Sequence, residues 1–220
     1  MVLFHNYEEL ILKKIIIKRA NTFSEIYRTQ DIKYKIKLEN KEIDYENIYI
    51  QTPYIFLRYG PQMYEGNIDS KIVLDIPLKV KLNSESNCDD DANDYDVESE
   101  KLYNLIKRLH KSLKTKLIKK ENSLLKNIKD AESKVTKNRK SKRNKYIDCL
   151  KAKEDITDLE HQNYNLKTKI HSMNGKPYLK IYNSNRKLNK EQKFRNNTLT
   201  RFILHLESIW YFEDTYGFNW

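Results

Sequence analysis

Residues 71–82 (KIVLDIPLKVKL) set the strongest constraint on the fold, because Ile72, Leu74, Ile76, Leu78, Val80 and Leu82 occupy consecutive even positions. Alternation of this length marks a β-strand with one buried and one wetted face. The other face carries Asp75, Pro77, Lys79 and Lys81. This pattern places the strand in an antiparallel sheet or barrel and not in a parallel sheet buried on both sides.

Its neighbours read as strands too. Residues 31–39 (DIKYKIKLE) alternate Ile32, Tyr34, Ile36 and Leu38 with charged residues. Residues 45–58 (YENIYIQTPYIFLR) are rich in β-branched and aromatic side chains, and Pro53 among them marks an edge, a bulge or the break between two strands. Residues 59–61 (YGP) turn the chain, and residues 7–17 read equally as a short helix or a strand. Farther on, residues 178–182 (YLKIY) alternate, and Asn183-Ser184-Asn185 follow as a turn. In residues 199–220 (LTRFILHLESIWYFEDTYGFNW), Phe202, Leu204, Leu206 and Trp210 share one parity, while Arg201, His205 and Glu207 share the other. That predicts a half-buried strand to Phe212, a turn at Glu213-Asp214-Thr215 and a second aromatic strand from Tyr216. On this parity Phe202 and Trp210 point into the core.

The middle of the chain differs. Residues 85–100 are acidic and Asn/Asp-rich without a basic residue, which is the composition of a solvated loop or of a flap over a basic surface. Ser99 ends this stretch as a helix N-cap, and Leu102, Leu105, Ile106, Leu109, Leu113 and Leu117 then recur at helical spacing. No Gly or Pro interrupts the chain between Leu78 and Asn174, so the helix is expected to run on through Ile128 into a basic helical insert over residues 117–174. Asn174-Gly175-Lys176-Pro177 closes it.

Charge gathers in the same region. The chain has 42 Lys+Arg and 31 Asp+Glu, a net +11, yet residues 101–169 alone hold 21 basic and 8 acidic residues, a net +13. The remainder, with 21 and 23, stands at −2. A compositional bias toward Lys would spread along the chain, whereas a segment this basic suits a polyanionic partner or a solvated helical hairpin. Cys88 and Cys149 lie far apart without ligand spacing, so neither a disulfide framework nor a zinc site is expected. The apolar run 10–17 is short and broken by Lys13 and Lys14, so no membrane association is expected and the location reads as intracellular and soluble.

The expected fold class is therefore mainly β with helices (α+β), an OB-fold-like Greek-key barrel with a mid-chain amphipathic helix and a long basic helical insert. Residues 1–116 would supply the first strands and the helix, residues 117–174 the insert, and residues 175–220 the closing strands. Catalysis finds no support. His5, His110, His161, His171 and His205 are scattered, and no phosphate-cradling Gly-rich loop, GxSxG or HExxH occurs. Asp89, Asp90, Asp91 and Asp94 read as a solvated run, so no cofactor, metal or enzymatic activity is expected.

Residues 48–78 (IYIQTPYIFLRYGPQMYEGNIDSKIVLDIPL), the helix from Lys101 to Leu113, residues 177–182 (PYLKIY) and residues 203–220 (ILHLESIWYFEDTYGFNW) together resemble a family from large nucleocytoplasmic DNA viruses. This is their single-stranded DNA-binding protein family, in the virus group that includes African swine fever virus. The pieces come in the family's order over about half the chain. The insert is longer and more charged than the family's, and the chain stops at Trp220 where the family's last strand would continue.

The resemblance implies an OB-fold core and sequence-tolerant binding of single-stranded DNA, or of RNA, in viral replication, recombination or repair. It also implies location in the host cytoplasm, at viral factories, or in the nucleus. Such binding needs flat rings for unstacked bases and cations for phosphates. The candidate stacking residues are Tyr54, Tyr59, Tyr178, Tyr182, Tyr211, Tyr216 and Phe218, with Tyr54, Tyr178, Tyr182 and Tyr211 favoured as outward-facing. The candidate phosphate contacts are Arg58, Lys79, Lys180, Arg186, Lys187 and Arg201 beside the strands, and Lys137, Arg139, Lys140, Lys142, Arg143 and Lys145 in the insert. The alternative reading is a structural or assembly protein whose insert self-associates or docks a partner such as a replication protein.

Overall fold

The computed structural model describes residues 2–4, 10–22, 27–37, 43–64, 71–81, 94–131, 145–153, 161–173, 176–177, 180–182, 187–188, 197–213 and 215–220. In chain order these form β1 (Val2–Phe4), a 3-10 turn (Leu12–Lys14), β2 (Ile15–Thr22), β3 (Tyr27–Lys37), β4 (Ile43–Glu46), β5 (Ile48–Gln51), β6 (Ile55–Leu57), β7 (Gln62–Tyr64) and β8 (Lys71–Lys81). Helix α1 (Asp94–Ala131) follows. After it come β9 (Lys145–Tyr146), β10 (Leu150–Lys153), β11 (His161–Ile170), β12 (Ser172–Met173), β13 (Lys176–Pro177), β14 (Thr198–Thr200), β15 (Ile203–Leu206), β16 (Ser208–Phe212) and β17 (Thr215–Asn219).

Strand β8 does what its alternation demands. Ile72, Leu74, Ile76 and Leu78 are buried. Antiparallel β11 pairs with it residue by residue from Ile170↔Ile72 to His161↔Lys81, adding Leu166, Thr168 and Ile170 to the same face. Strand β7 flanks β8 and β10 flanks β11, in the order β10-β11-β8-β7. Helix α1 packs against β8 and buries Leu102, Leu105, Ile106, Leu109, Leu113 and Leu117, each burial stabilising by about 2 kcal/mol. Ser99 lies inside the helix, not at its N-cap, and its hydroxyl accepts the Lys79 backbone N–H at 2.9 Å. Farther along α1, Lys116 donates to the carbonyls of Leu12 and Ile15, tying the helix to the 3-10 turn and β2.

A second sheet has the order β2-β3-β16-β17-β9, with β4 added on β3, and a third runs β1-β5-β15. Short ladders join β6 to β14 and β12 to β13. The β8–β11 sheet meets the β16–β17 sheet through Lys169 N–H to Trp220 O, while Lys167 N–H to Cys149 O and Ile32 N–H to Glu207 O extend the β10–β11 and β3–β16 ladders by one residue each. Among the described residues these ladders do not close a barrel, so the architecture stands as mostly β with one long helix. No described helix is long and apolar enough to cross a membrane.

Two expectations need correction. The helical reading of residues 117–174 holds only to Ala131, since 145–146, 150–153, 161–170 and 172–173 are strands. The lack of Gly and Pro hid an alternation already present in Tyr164, Leu166, Thr168 and Ile170. The second correction concerns parity across residues 199–212. β15 pairs with β5, β16 pairs with β3 and β17, and the chain changes sheets at Glu207, whose N–H donates to Asn219 O and whose carbonyl accepts from Ile32. Even positions Leu204 and Leu206 are buried before this corner, whereas Ile209 and Tyr211 are buried after it. Trp210 is therefore left half-exposed and Tyr211 turns inward, the reverse of the expected order, while Phe202 is half-buried against the core.

The hairpin itself forms as expected. Phe212 pairs with Thr215, and Glu213 adopts φ 49°, the left-handed geometry that tight hairpin turns use. Within it Trp210 lies opposite Gly217, and a Cβ there would approach the indole Cζ2 to 2.6 Å. Gly217→Ala is expected to destabilise the protein by about 1–3 kcal/mol, read from urea denaturation, and adding Trp210→Leu should recover most of the loss. Wild-type stability in the single variant would contradict this packing.

Candidate nucleic-acid interface

The candidate surface is built at a defect in strand pairing. Ile203 pairs with Gln51 in the β5–β15 ladder, but Thr200 pairs with Ile55 in the β6–β14 ladder, so the first chain has one extra residue between the two pairs. Pro53 and Tyr54 together thus face Arg201, as in a β-bulge. Pro53 has no N–H to donate, which suits this position. Thr52, almost wholly buried, clasps the defect: its N–H donates to Phe202 O at 2.9 Å, and its hydroxyl accepts the Phe202 N–H at 2.9 Å.

Beyond the defect the burial alternates cleanly. Ile55 and Leu57 point into the core, so Tyr54, Phe56 and Arg58 point out. On the partner chain Leu199, Arg201 and Ile203 point out as well, with Phe56 and Leu199 directly opposite. Tyr54, Phe56, Leu199 and Ile203 are 46%, 54%, 51% and 62% exposed. The Arg201 guanidinium stands 4.2 Å from the Tyr54 ring centroid, a cation–π distance that leaves a flat, positively charged step on the surface. Tyr59, also exposed, follows Arg58. Along β5–β15 the outward row continues with the Tyr49 and His205 rings stacked at 4.6 Å, and burial lowers the His205 pKa.

The structure therefore brings Tyr54 and Arg201 into contact and sets Arg58 on the same outward row, with exposed Tyr59 next to it in sequence. It also recruits Phe56, another ring of residues 45–58, together with Leu199 and Ile203, which sequence reasoning passed over. Their signal was apolar residues on the wetted parity of a strand, and only the bulge reveals that both wetted rows share one face. The other candidates are placed elsewhere. Tyr211 and Phe218 are 5% and 3% exposed and cannot offer a face to a base. The Tyr211 hydroxyl donates to Gln30 at 2.8 Å under the Arg28 guanidinium, and Phe218 packs on His110. Tyr216 is half-buried between Tyr146 and Tyr211. Exposed Tyr182 bridges to Leu188 near exposed Lys180 and Lys187, on a separate segment. Lys79 is exposed on the wetted face of β8 and Lys145 at the start of β9. Tyr178, Arg186, Lys137, Arg139, Lys140, Lys142 and Arg143 lie outside the described residues.

A second cluster joins residues distant in sequence. Trp220 Nε1 can only donate, so at 3.1 Å it fixes His110 Nε2 as the acceptor and puts the imidazole proton on Nδ1. That proton faces Tyr146 Oη at 3.1 Å, and Tyr146 in turn donates to Asp148 Oδ1 at 3.1 Å. Burial opposes the Asp148 charge, but hydrogen bonds from His110, the Leu150 N–H and Tyr146 hold its pKa down at about 2. Cys149 Sγ lies 3.8 Å from His110 Nε2, and His110, Asp148 and Cys149 offer ligand atoms within 4.8 Å of one another. Metal or nucleophilic chemistry would need a thiolate, whereas burial and nearby Asp148 push this thiol up to about 12. The His110 lone pair is moreover committed to Trp220. The network reads as an anchor that ties α1, residues 146–149 and Trp220 together.

These features define the class: a mostly β protein with one long helix and an outward face of rings and guanidiniums. Comparison with protein families, characterised proteins and solved structures finds no match to the chain.

Acid should release the anchor. Burial lowers the His110 pKa below its ordinary 6.5, with Asp148 opposing the shift and Lys114 adding to it. The stability this neutral ring contributes is complete above about pH 6.5 and is lost as pH falls through the lowered native value. His205 acts in the same direction, while the Asp148 contribution persists until pH drops below about 4 toward 2. His110→Gln keeps an acceptor for Trp220 but does not titrate. Melting temperatures measured between pH 8 and 5 should fall less in this variant than in the wild type, and an unchanged acid slope would refute the assignment.

Proposed function

We propose that this protein binds single-stranded nucleic acid, without enzymatic turnover, on the face formed by Tyr54, Phe56, Arg58, Tyr59, Leu199 and Arg201. The observation that carries this reading is the exposure of Tyr54 and Phe56 on one face with Arg58 and Arg201, when apolar rings are ordinarily buried. Stacking on such rings contributes about 1–3 kcal/mol per base and tolerates any base, while the guanidiniums meet the phosphates. Duplex DNA keeps its base faces stacked inside and gains only the charge term. An OB-like barrel is proposed as the scaffold. Its support is the order of the strands around one mid-chain helix and the Lys169 to Trp220 hydrogen bond that links two of the sheets.

The alternative reading, assembly or docking through the insert, draws no support from the part of the stripe between Leu102 and Leu117, whose apolar residues are buried in the protein's own core.

Fluorescence anisotropy with labelled oligothymidylate, oligouridylate and duplex DNA tests the proposal. The single strand should bind more tightly than the duplex. Tyr54→Ala with Phe56→Ala should weaken binding at least about tenfold at both low and high salt. Arg58→Gln and Arg201→Gln should each flatten the log–log salt slope by about 0.7. Equal affinity for single strand and duplex, or indifference to both sets of changes, would reject it.

A further inference from the structure

Beside the buried stripe of α1, a cavity of about 410 Å³ opens between the helix and Asp148, Leu150 and Tyr164. Lys107, Lys111 and Lys114 line it at helical spacing, so three lysines border one space. Among the described residues none has a carboxylate within salt-bridge distance. Two are held by rings instead: Lys107 donates to the Tyr103 hydroxyl at 3.3 Å, and Lys114 stands 3.3 Å from the Tyr146 ring centroid. Burial lowers the Lys114 pKa, so its charge has lost water that no neighbouring anion replaces in full. Gathering like charges is unfavourable, Asp148 at the cavity wall offsets this only in part, and an anionic ligand on the lysines would reverse the sign of that term.

The remaining walls narrow the chemistry. Tyr103 and Tyr164 lie with centroids 4.4 Å apart and present an aromatic surface, with Tyr164 the more exposed ring. Exposed Asp148 adds a carboxylate, which repels a phosphate placed beside it but accepts from hydroxyl groups. A bare phosphate would leave most of the cavity empty. A planar ring, a hydroxylated linker and a phosphate would use all three kinds of wall.

We propose that this cavity binds a phosphorylated nucleoside, its phosphate on Lys107, Lys111 and Lys114 and its base against Tyr164. The site is separate from the Tyr54–Arg201 face and does not depend on it. The ligand has two sources, a free mononucleotide or the 5′-phosphorylated end of a strand. Calorimetric titration of the full chain with adenosine 5′-monophosphate and with inorganic phosphate tests the first. Short oligothymidylates with and without a 5′ phosphate test the second.

Saturable binding of adenosine 5′-monophosphate, tighter than phosphate and weakened at least about tenfold by Lys111→Gln and by Tyr164→Leu, assigns the site to the free nucleotide. An affinity gain from the 5′ phosphate that Lys111→Gln abolishes, without binding of the mononucleotide, assigns it to the strand end. Lys111 is exposed, so its variant is expected to fold. Absence of both signals, or signals that survive Lys111→Gln, overturns the proposal.

Discussion

One face of β8 has to be kept from water, and most of the architecture can be understood as the means of doing so. Ile72, Leu74, Ile76 and Leu78 form a row that a single sheet cannot cover. Strand β11 extends that row sideways through Leu166, Thr168 and Ile170, and α1 lies across it with a stripe of leucines. The lid is fastened at several points: by Ser99 to the β8 backbone, by Lys116 to the N-terminal carbonyls, and by His110 to Trp220. The fasteners are polar groups with defined partners, whereas the leucines supply the bulk of the burial. That division matters because apolar contact is non-directional. Leucines alone would let the helix slide along the sheet, and the hydrogen bonds fix where it stops.

The faces outside this core are aimed by irregularities. At Thr52 and Phe202 one chain carries an extra residue, and the outward rows on either side merge into one surface. At Glu207 the chain passes from one sheet to another, and the buried parity inverts. Both corners satisfy their backbone groups by unusual routes, through a threonine hydroxyl in the first case and through two different sheets in the second. A strand without these corners would have presented Tyr211 to solvent and divided Tyr54 from Arg201.

The legible part of the sequence was whatever depended on local periodicity. Alternation in residues 71–82 and the heptad-like recurrence from Leu102 to Leu117 both report a single flat partner surface, and both elements form where expected. Pro53 announced a break between strands because its ring removes a donor whatever the surroundings. Three things lay beyond that reach. Residues 161–170 are polar enough to pass for an exposed helix, and only their pairing with β8 gives the weak alternation its meaning. The inversion at Glu207 depends on which strands flank it. The union of His110, Tyr146, Asp148 and Trp220 spans 110 positions between His110 and Trp220, a closure that no spacing rule anticipates.

On the proposed reading, the distribution of charge and rings separates two tasks, attracting a polyanion and selecting unstacked bases. The segment 101–169 carries a net +13, and Lys101, Lys107, Lys111 and Lys119 on α1 are exposed. Exposed charges act through solvent over about 8 Å at physiological salt and raise encounter rates without selecting a conformation. The Tyr54–Arg201 face has only a few cations but offers rings held in place by the clasped bulge, and stacking operates only on contact. Adding lysines elsewhere would therefore strengthen attraction to any polyanion, duplex included, and would not improve the discrimination. On the proposed reading, discrimination for unstacked bases would rest on keeping Tyr54 and Phe56 outside the core, and the clasped bulge at Pro53 sets Tyr54 facing outward beside Arg201.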